Sequence, residues 1–133
     1  MNTTTTAPVV APVGTARSRA ARIGSWAVRI LLSAQFFTGG ALKVTGEASM
    51  VTMFEDLGGG AGLRLFVGAC EVAGAVGLLI PRLMRPAAAG LVVLMVGAVV
   101  TNVAILGTNP VLPLVFGLLA AVVAASNWTG TAR

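Results

Sequence analysis

The sequence predicts an all-α protein, a four-helix transmembrane bundle with a short amphipathic helix in its first outer loop. The 133 residues are 56% hydrophobic and 10% charged, and their mean hydropathy is +0.93. A soluble domain needs a more polar surface than this composition supplies. Since one crossing takes about 20 apolar residues, the chain has room for four spans and little else.

The first segment has no apolar periodicity. Residues 1–22 contain a threonine run and two prolines followed by arginines, which predicts a disordered, basic tail. A basic region before an apolar stretch also describes a signal peptide. The apolar stretch at 23–44 is long for one, however, and no clear A-x-A cleavage site follows it. We therefore expect an uncleaved first span.

A four-span domain is predicted over residues 23–126, with a short tail at 127–133. Pro81 and Pro86 bracket one turn and Thr108-Asn109-Pro110 forms another, so that successive spans run antiparallel. The spans themselves are predicted at residues 23–44, 62–80, 86–106 and 111–126.

The loop between the first two spans has a helical pattern of its own. Met50, Met53, Phe54 and Leu57 fall on one side of a helix that ends at three consecutive glycines. We interpret it as a connector lying on the membrane surface, and a lid over the outer end of the bundle is the alternative.

Basic residues collect on one side of the predicted bundle, at the start of the first span and in the turn between the second and third: Arg17, Arg19, Arg22, Arg29, Arg82 and Arg85. Positively charged loops face the cytoplasm, so both termini are expected on the cytoplasmic side. We expect a multi-pass protein of the cell membrane. Arg29 is expected to extend to the headgroups. The net charge of +5 fits anionic lipid, and without an aromatic-basic module we expect no nucleic-acid binding.

The chain has no histidine and one cysteine, Cys70. The commonest metal ligand and general base is therefore missing, and so is any CxxC pair. We expect no metal site and no intrinsic cofactor.

Glu71 lies in the middle of the apolar run 63–80. A carboxylate at that depth costs about 2.5–3.5 kcal/mol on insertion scales, so it should face a partner or a polar cavity. Gln35 and Lys43 share a stripe on the first span, and Arg64 shares a face with Glu71. Together with Thr101 and Asn102, these groups cluster in the outer half of the bundle: Gln35, Lys43, Arg64, Glu71, Thr101 and Asn102.

Two interpretations of this cluster remain open. In the first, Lys43 or Arg64 neutralises Glu71, while Gln35 and Asn102 tie helices together by hydrogen bonds. In the second, the cluster lines a small pocket in which Glu71 exchanges a proton or orients a quinone or a similar apolar ligand with a polar head.

The segment 35–43, QFFTGGALK, resembles the F-x-x-x-G-x-x-K element that ends the first helix of the DoxX-like family. The segment 63–74, LRLFVGACEVAG, resembles that family's Gly-x-x-Glu segment, and 81–83 and 97–102 continue in the same order. The resemblance covers residues 23–126. Many relatives carry histidine where this chain has Asn102, so we expect no acid-base or metal role there.

The resemblance implies a four-helix membrane protein linked to quinol oxidase, thiosulfate:quinone oxidoreductase or thiol-oxidant defence assemblies. It singles out Lys43, Glu71 and Thr101, to which the helical-face argument adds Gln35 and Arg64. The candidate catalytic residues, as a proton or ion-pair site, are Glu71 and Lys43. The candidate ligand-binding residues are Gln35, Thr38, Arg64, Thr101 and Asn102.

These observations favour an accessory or quinone-associated subunit of a membrane redox complex, without a redox centre of its own. The isolated chain is then not expected to be an enzyme. A non-enzymatic scaffold or assembly protein is the alternative. Small residues repeat every four positions on the second and fourth spans, and such seams suit a partner or a homo-oligomer. The seams are Ala69, Ala73 and Gly77, and Gly117, Ala121 and Ala125. A small transporter or proton pathway ranks last, because the inner half offers little polarity beyond Ser33.

Overall fold

The computed structural model describes residue 8 and residues 14–126, and within this part of the chain every regular element is helical. The prediction of an all-α protein is confirmed. A π-helical turn at Asn102–Leu106 extends the fourth helix. The α-helices are α1 (Gly14–Thr45), α2 (Ala48–Asp56), α3 (Gly60–Leu79), α4 (Met84–Thr101) and α5 (Val111–Ala125).

The N-terminal boundary of α1 differs from the prediction of a disordered tail over 1–22. Residues 14–22 are already helical. Alanine and arginine dominate residues 16–22, and both are strong helix formers that need no apolar face when the helix is exposed. Residues 1–7 and 9–13 of that tail lie outside the described residues, and so does the predicted tail at 127–133.

The helix α4 also begins earlier than predicted, at Met84 rather than residue 86. Pro86 is its third residue. The N–H that proline lacks would have no acceptor within the first turn of a helix, so the ring is tolerated there. Pro86 therefore lies inside the helix rather than in the turn before it.

The helices pack in a ring. α1 lies along α3, α3 against α4, α4 against α5, and α5 returns to α1. α2 packs against α3 at one end of the bundle, which we call the α2 end. The other end, where α3 and α5 finish and α4 begins, carries Arg29, Arg82 and Arg85, and we call it the arginine end. The fully buried large side chains lie in the half near it: Leu32, Leu78, Met84 and Leu91.

The glycines of α3 set its distance from α4. A Cβ on Gly74 would lie 2.6 Å from the Leu91 side chain, and one on Gly77 would lie 2.7 Å from the Ala87 Cβ. Of the predicted seam on α3, only Gly77 is buried, whereas Ala69 and Ala73 are exposed. Close packing therefore depends on the glycines and not on the alanines of that repeat.

Arg29 lies inside the bundle, contrary to the expectation that it extends to the headgroups. It is 5% exposed, and its Nε donates a hydrogen bond to the Leu78 carbonyl oxygen at 2.7 Å. One turn further along α1, Ser33 Oγ donates to the Ala75 carbonyl oxygen at 2.7 Å. Both contacts bind α1 to the last turns of α3. The Leu78 carbonyl is one of the last four of that helix, which have no N–H donor four residues further along it.

Among the residues that the structure describes, two helices are long and apolar enough to cross a membrane, Gly60–Leu79 and Met84–Leu106. The apolar helix α5 is shorter, with 15 residues. Many large hydrophobic side chains point outward, among them Val93 at 71% exposure and Val122 at 65%. An apolar surface this extensive fits a membrane protein.

Candidate functional site

The polar stripe of α1 meets the polar stripe of α3 near the α2 end. Lys43 Nζ lies 2.9 Å from Glu71 Oε2, and the two groups form a salt bridge. The Arg64 guanidinium donates a hydrogen bond to the carbonyl oxygen of Lys43. The predicted meeting of the two stripes is therefore confirmed, and Lys43 is the cation that neutralises Glu71.

Two glycines allow α1 and α3 to approach closely beside this pair. A Cβ on Gly40 would lie 2.7 Å from the Gly68 carbonyl oxygen, and one on Gly68 would lie 2.8 Å from the Lys43 Cβ. Any larger side chain at either position would push the helices apart. The glycines therefore determine whether Lys43 can reach Glu71.

The salt bridge is largely shielded from solvent, with the side chains of Lys43 and Glu71 14% and 6% exposed. Lys43 Nζ also contacts the Gly39 carbonyl oxygen at 3.4 Å. An ammonium group has three N–H donors, so one remains for a further acceptor. The Glu71 carboxylate likewise keeps lone pairs that the single contact to Lys43 does not use.

The pair opens into a cavity of about 470 Å³ at the α2 end, between α1, α3, α4 and α5. Its walls are mostly apolar, with Phe36 and Phe116 in edge-to-face contact at 6.2 Å between ring centroids. These aromatic side chains were not among the predicted site residues. The polar residues that line it are Gln35, Lys43, Glu71, Thr101 and Asn102.

The helix α2 covers this cavity. Met53, Phe54 and Leu57 line it, and Phe54 is 4% exposed. Glu47 caps the start of α2 by accepting hydrogen bonds from Ser49 and from the Met50 backbone N–H. The amphipathic helix is confirmed, and its contacts match the alternative of a lid rather than the preferred interpretation of a surface connector.

Hydrogen bonds from the Ser49 side chain and backbone N–H lower the pKa of Glu47 from its ordinary value. Partial desolvation opposes this shift, and the Met50 backbone N–H adds to it. Each of these donors stabilises the ionised carboxylate more than the neutral acid. The cap of α2 therefore favours the ionised form of Glu47.

A π-helical turn places Asn102 at the cavity wall. The Asn102 carbonyl oxygen accepts hydrogen bonds from the backbone N–H groups of Gly107 and Thr108, and Gly107 has a positive φ of 60°. Asn102 Nδ2 donates to the Asn109 carbonyl oxygen at 3.3 Å. The amide thus belongs to the turn and does not bond Glu71, while its Oδ1 remains an acceptor.

The other candidate residues differ in position. Thr101 lines the cavity and donates from Oγ1 to the Gly97 carbonyl oxygen at 2.7 Å. Gln35 lines it too, and no hydrogen bond joins this side chain to another described residue. Thr38 is exposed and bonds the Ala34 carbonyl oxygen at 2.8 Å, away from the cavity. Arg64 supports the backbone of Lys43 from outside the cavity wall.

No group of three or more His, Cys, Asp or Glu side chains that could hold a metal ion occurs within residues 14–126. The arrangement instead suits an apolar molecule with one polar end. Its apolar part would meet aromatic and aliphatic walls, and its polar end would meet the ammonium of Lys43, the carboxylate of Glu71 and the side-chain amides.

The sequence model of the DoxX-like family matches residues 27–125, which is most of the chain. The matched region includes α2–α5, most of α1 and every residue that lines the cavity. Compared with curated proteins and with solved structures, the chain has no significant match.

Proposed function

This chain belongs to the DoxX-like family, and from that premise we propose that it is a four-span membrane protein that serves as a quinone-associated accessory subunit of a membrane redox complex. The observation that carries the proposal is the cavity at the α2 end, which combines apolar walls with one buried salt bridge.

Four spans require that α1 cross the membrane although it contains Arg29 and Lys43. Both side chains turn inward, Arg29 to the Leu78 carbonyl and Lys43 to Glu71. Between residues 23 and 44, the exposed side chains of α1 are mostly apolar, including Ile30 at 56% exposure and Leu31 at 59%, with Gln35 and Thr38 as the polar exceptions. Inward charges with an apolar outer face are what a spanning helix requires. The even number of spans then leaves both termini on the arginine side, which is proposed to be cytoplasmic.

A quinone fits the cavity by size and by chemistry. A volume of about 470 Å³ is within the range of small-molecule sites, which also bury most of an apolar ligand and orient it with few polar groups. Phe36, Phe54 and Phe116 would hold the ring and the start of the isoprenoid tail. Lys43, Gln35 and Asn102 would face its oxygens.

The residues of the chain have distinct tasks in this proposal. The unused N–H of Lys43 donates to a ligand oxygen, and Glu71 holds the ammonium in place and can exchange a proton at its free carboxylate oxygen. The α2 lid limits the access of water, which strengthens both interactions. A bound quinone would supply two-electron, two-proton carrier chemistry. With one cysteine and no histidine, the chain is proposed to rely on a partner for electron transfer.

The packed half of the bundle disfavours a transporter or proton pathway. Leu32, Leu78 and Met84 are at most 1% exposed and lie between the cavity and the arginine end. A path across the membrane would have to pass through this close-packed region, whose buried polar side chains, Arg29 and Ser33, are bonded to backbone carbonyls of α3. The cavity is therefore a site entered from one half of the bundle.

The test is extraction from native membranes in mild detergent, followed by mass spectrometry of bound quinone. Glu71→Gln keeps the shape and an acceptor for Lys43 but removes the negative charge and the exchangeable proton. Thr38→Val is the matched control, since Thr38 lies on the same helix as Lys43 but outside the cavity. We expect near-stoichiometric quinone in the wild-type protein and in Thr38→Val, and a large loss in Glu71→Gln.

The absence of quinone from all three proteins, each with a normal unfolding temperature, would contradict the quinone proposal. The salt bridge would then be a structural contact between α1 and α3. In that case the scaffold interpretation would gain, and the search would turn to membrane proteins that co-purify with the wild-type chain.

A further inference from the structure

The arginine end contains a buried positive charge, and no side-chain carboxylate lies near it among the residues that the structure describes. Arg29 is 5% exposed, and its Nη2 is buried without a hydrogen-bond partner among the residues that the structure describes. Buried polar groups are nearly always paired, and a buried charge even more so. The unpaired N–H groups therefore call for an acceptor from outside the described chain.

The chain has four acidic residues, and all of them lie toward the α2 end: Glu47, Glu55, Asp56 and Glu71. Of these four residues, Glu71 is the nearest to the arginine end, and it is paired with Lys43. Lys43 follows Arg29 on the same helix by fourteen residues, a rise of roughly 21 Å. No side-chain carboxylate of this chain can therefore reach the Arg29 guanidinium.

The existing contacts of Arg29 compensate only part of its charge. Nε donates to the Leu78 carbonyl oxygen in the last turn of α3, where the helix dipole is negative. The Trp26 ring lies over the guanidinium, with 4.1 Å from its centroid to Cζ. Neither contact supplies an acceptor for Nη2.

We propose that the Arg29 guanidinium binds the phosphate of an anionic phospholipid at the arginine end of the bundle. The planar N–H groups of arginine match the geometry of phosphate oxygens. Trp26 is 43% exposed one turn before Arg29, so a change of its rotamer would open the guanidinium to the phosphate. The lipid tails then lie against the exposed apolar faces of α1 and α3.

A lipid is favoured over a protein partner by the surroundings of the site. Arg22 and Arg82 are exposed at the same end, so the local field is positive and attracts anionic headgroups. Outward aliphatic side chains such as Ile23 and Ile80 continue from this end along the helices and offer surface for acyl chains. This inference is independent of the quinone proposed at the α2 end.

The experiment uses the full chain in a neutral detergent, with native mass spectrometry of retained lipid and unfolding temperatures as readouts. Phosphatidylglycerol, phosphatidylcholine and inorganic phosphate are the three probes. Arg85→Gln is the matched control for Arg29→Gln, because Arg85 also donates from Nε to a carbonyl oxygen near the end of a helix, that of Ala124, but is exposed.

We expect the wild-type protein and Arg85→Gln to retain one phosphatidylglycerol in preference to phosphatidylcholine. Arg29→Gln should bind it about tenfold more weakly or worse, the loss expected for one charge-assisted hydrogen bond. Equal retention by Arg29→Gln and wild type would overturn the proposal. Equal binding of phosphatidylglycerol and phosphatidylcholine to the wild type would also overturn the proposal. The counter-ion of Arg29 would then be a carboxylate of a partner protein.

Inorganic phosphate should not raise the unfolding temperature as phosphatidylglycerol does, and an equal rise would reassign the site to a free anion. If Arg29→Gln does not fold, Arg29→Lys decides the question. It keeps the charge but removes the planar pair of N–H groups. Phosphatidylglycerol must then bind several-fold more weakly, and an unchanged affinity would refute the proposal.

Discussion

Gly40 and Gly68 face each other where α1 crosses α3, and a Cβ on either would come within 3 Å of the other residue's carbonyl oxygen. The contact lies directly beside the Lys43–Glu71 salt bridge, since Gly68 also meets the Lys43 Cβ. Helix packing and the polar site are therefore coupled at one crossing.

The first prediction concerns this crossing. Gly68→Ala should destabilise the protein by about 1–3 kcal/mol, because the methyl group overpacks the contact with α1. Gly62→Ala is the control, since a Cβ on Gly62 meets nothing within 4 Å. There the better helix propensity of alanine should make the change neutral or stabilising. Equal unfolding free energies of the two variants in detergent would contradict the coupling.

The second prediction concerns the salt bridge. Lys43→Met leaves the Glu71 carboxylate buried without its partner, which should destabilise the protein by up to about 3–5 kcal/mol. Adding Glu71→Leu removes the stranded charge, so the double variant should recover most of that loss. Unfolding free energies of the four proteins form a double-mutant cycle. Additive losses would show that the two side chains do not interact energetically.

The third prediction concerns pH and the α2 lid. The pKa of Glu47 is lowered in the folded state by its hydrogen bonds with Ser49. A depressed carboxyl pKa contributes stability above the unfolded pKa of about 4.3, and that stability is lost as pH falls through the folded value. We therefore expect amide hydrogen exchange in α2, corrected for the intrinsic rate, to lose protection only at acidic pH.

Ser49→Ala removes the first donor to Glu47, so its pKa should rise toward the ordinary value and the loss of protection should begin at higher pH. Thr52→Ala is the control, because Thr52 bonds the Ala48 carbonyl within the same helix and does not contact Glu47. Identical pH profiles for Ser49→Ala and Thr52→Ala would show that Glu47 is not the responsible group.

The fourth prediction tests the membrane crossing of α3 and the orientation of the bundle. In a Cys70→Ala background, Asp56→Cys at the α2 end and Arg82→Cys at the arginine end should react with a membrane-impermeant thiol reagent from opposite sides. Asp56→Cys should be labelled in intact cells and Arg82→Cys only after permeabilisation, because positive loops remain cytoplasmic. Labelling of both from the same side would contradict a membrane crossing by α3.

Apolar run lengths and proline turns were sufficient to predict the helix order, because each signal is local to one segment. The meeting of Lys43 with Glu71 was predictable from helical faces, since residues four and seven apart share a side. The π-helical turn at Asn102 was not predictable from the sequence, because no local residue pattern specifies such a turn. The position of Arg29 was predicted wrongly, because its hydrogen-bond acceptor, the Leu78 carbonyl, becomes a neighbour only after folding.

The roles of the glycines were likewise only partly predictable from the sequence. Their spacing indicated close packing, but the partner of each glycine depends on the crossing point of two helices. Gly40 and Gly68 met, whereas Ala69 and Ala73 faced outward. The cavity depends on the same three-dimensional information, because its walls come from all five helices.

The central claim is that the cavity at the α2 end holds a quinone, and filling it is the most direct test. Gly97 lines the cavity and a Cβ there meets nothing within 4 Å, so Gly97→Leu places a side chain in open space. Gly90→Leu is the matched control on the same helix, equally open but outside this cavity. Native mass spectrometry should show quinone retained in the wild type and Gly90→Leu and lost in Gly97→Leu. Undiminished quinone in Gly97→Leu would contradict the claim.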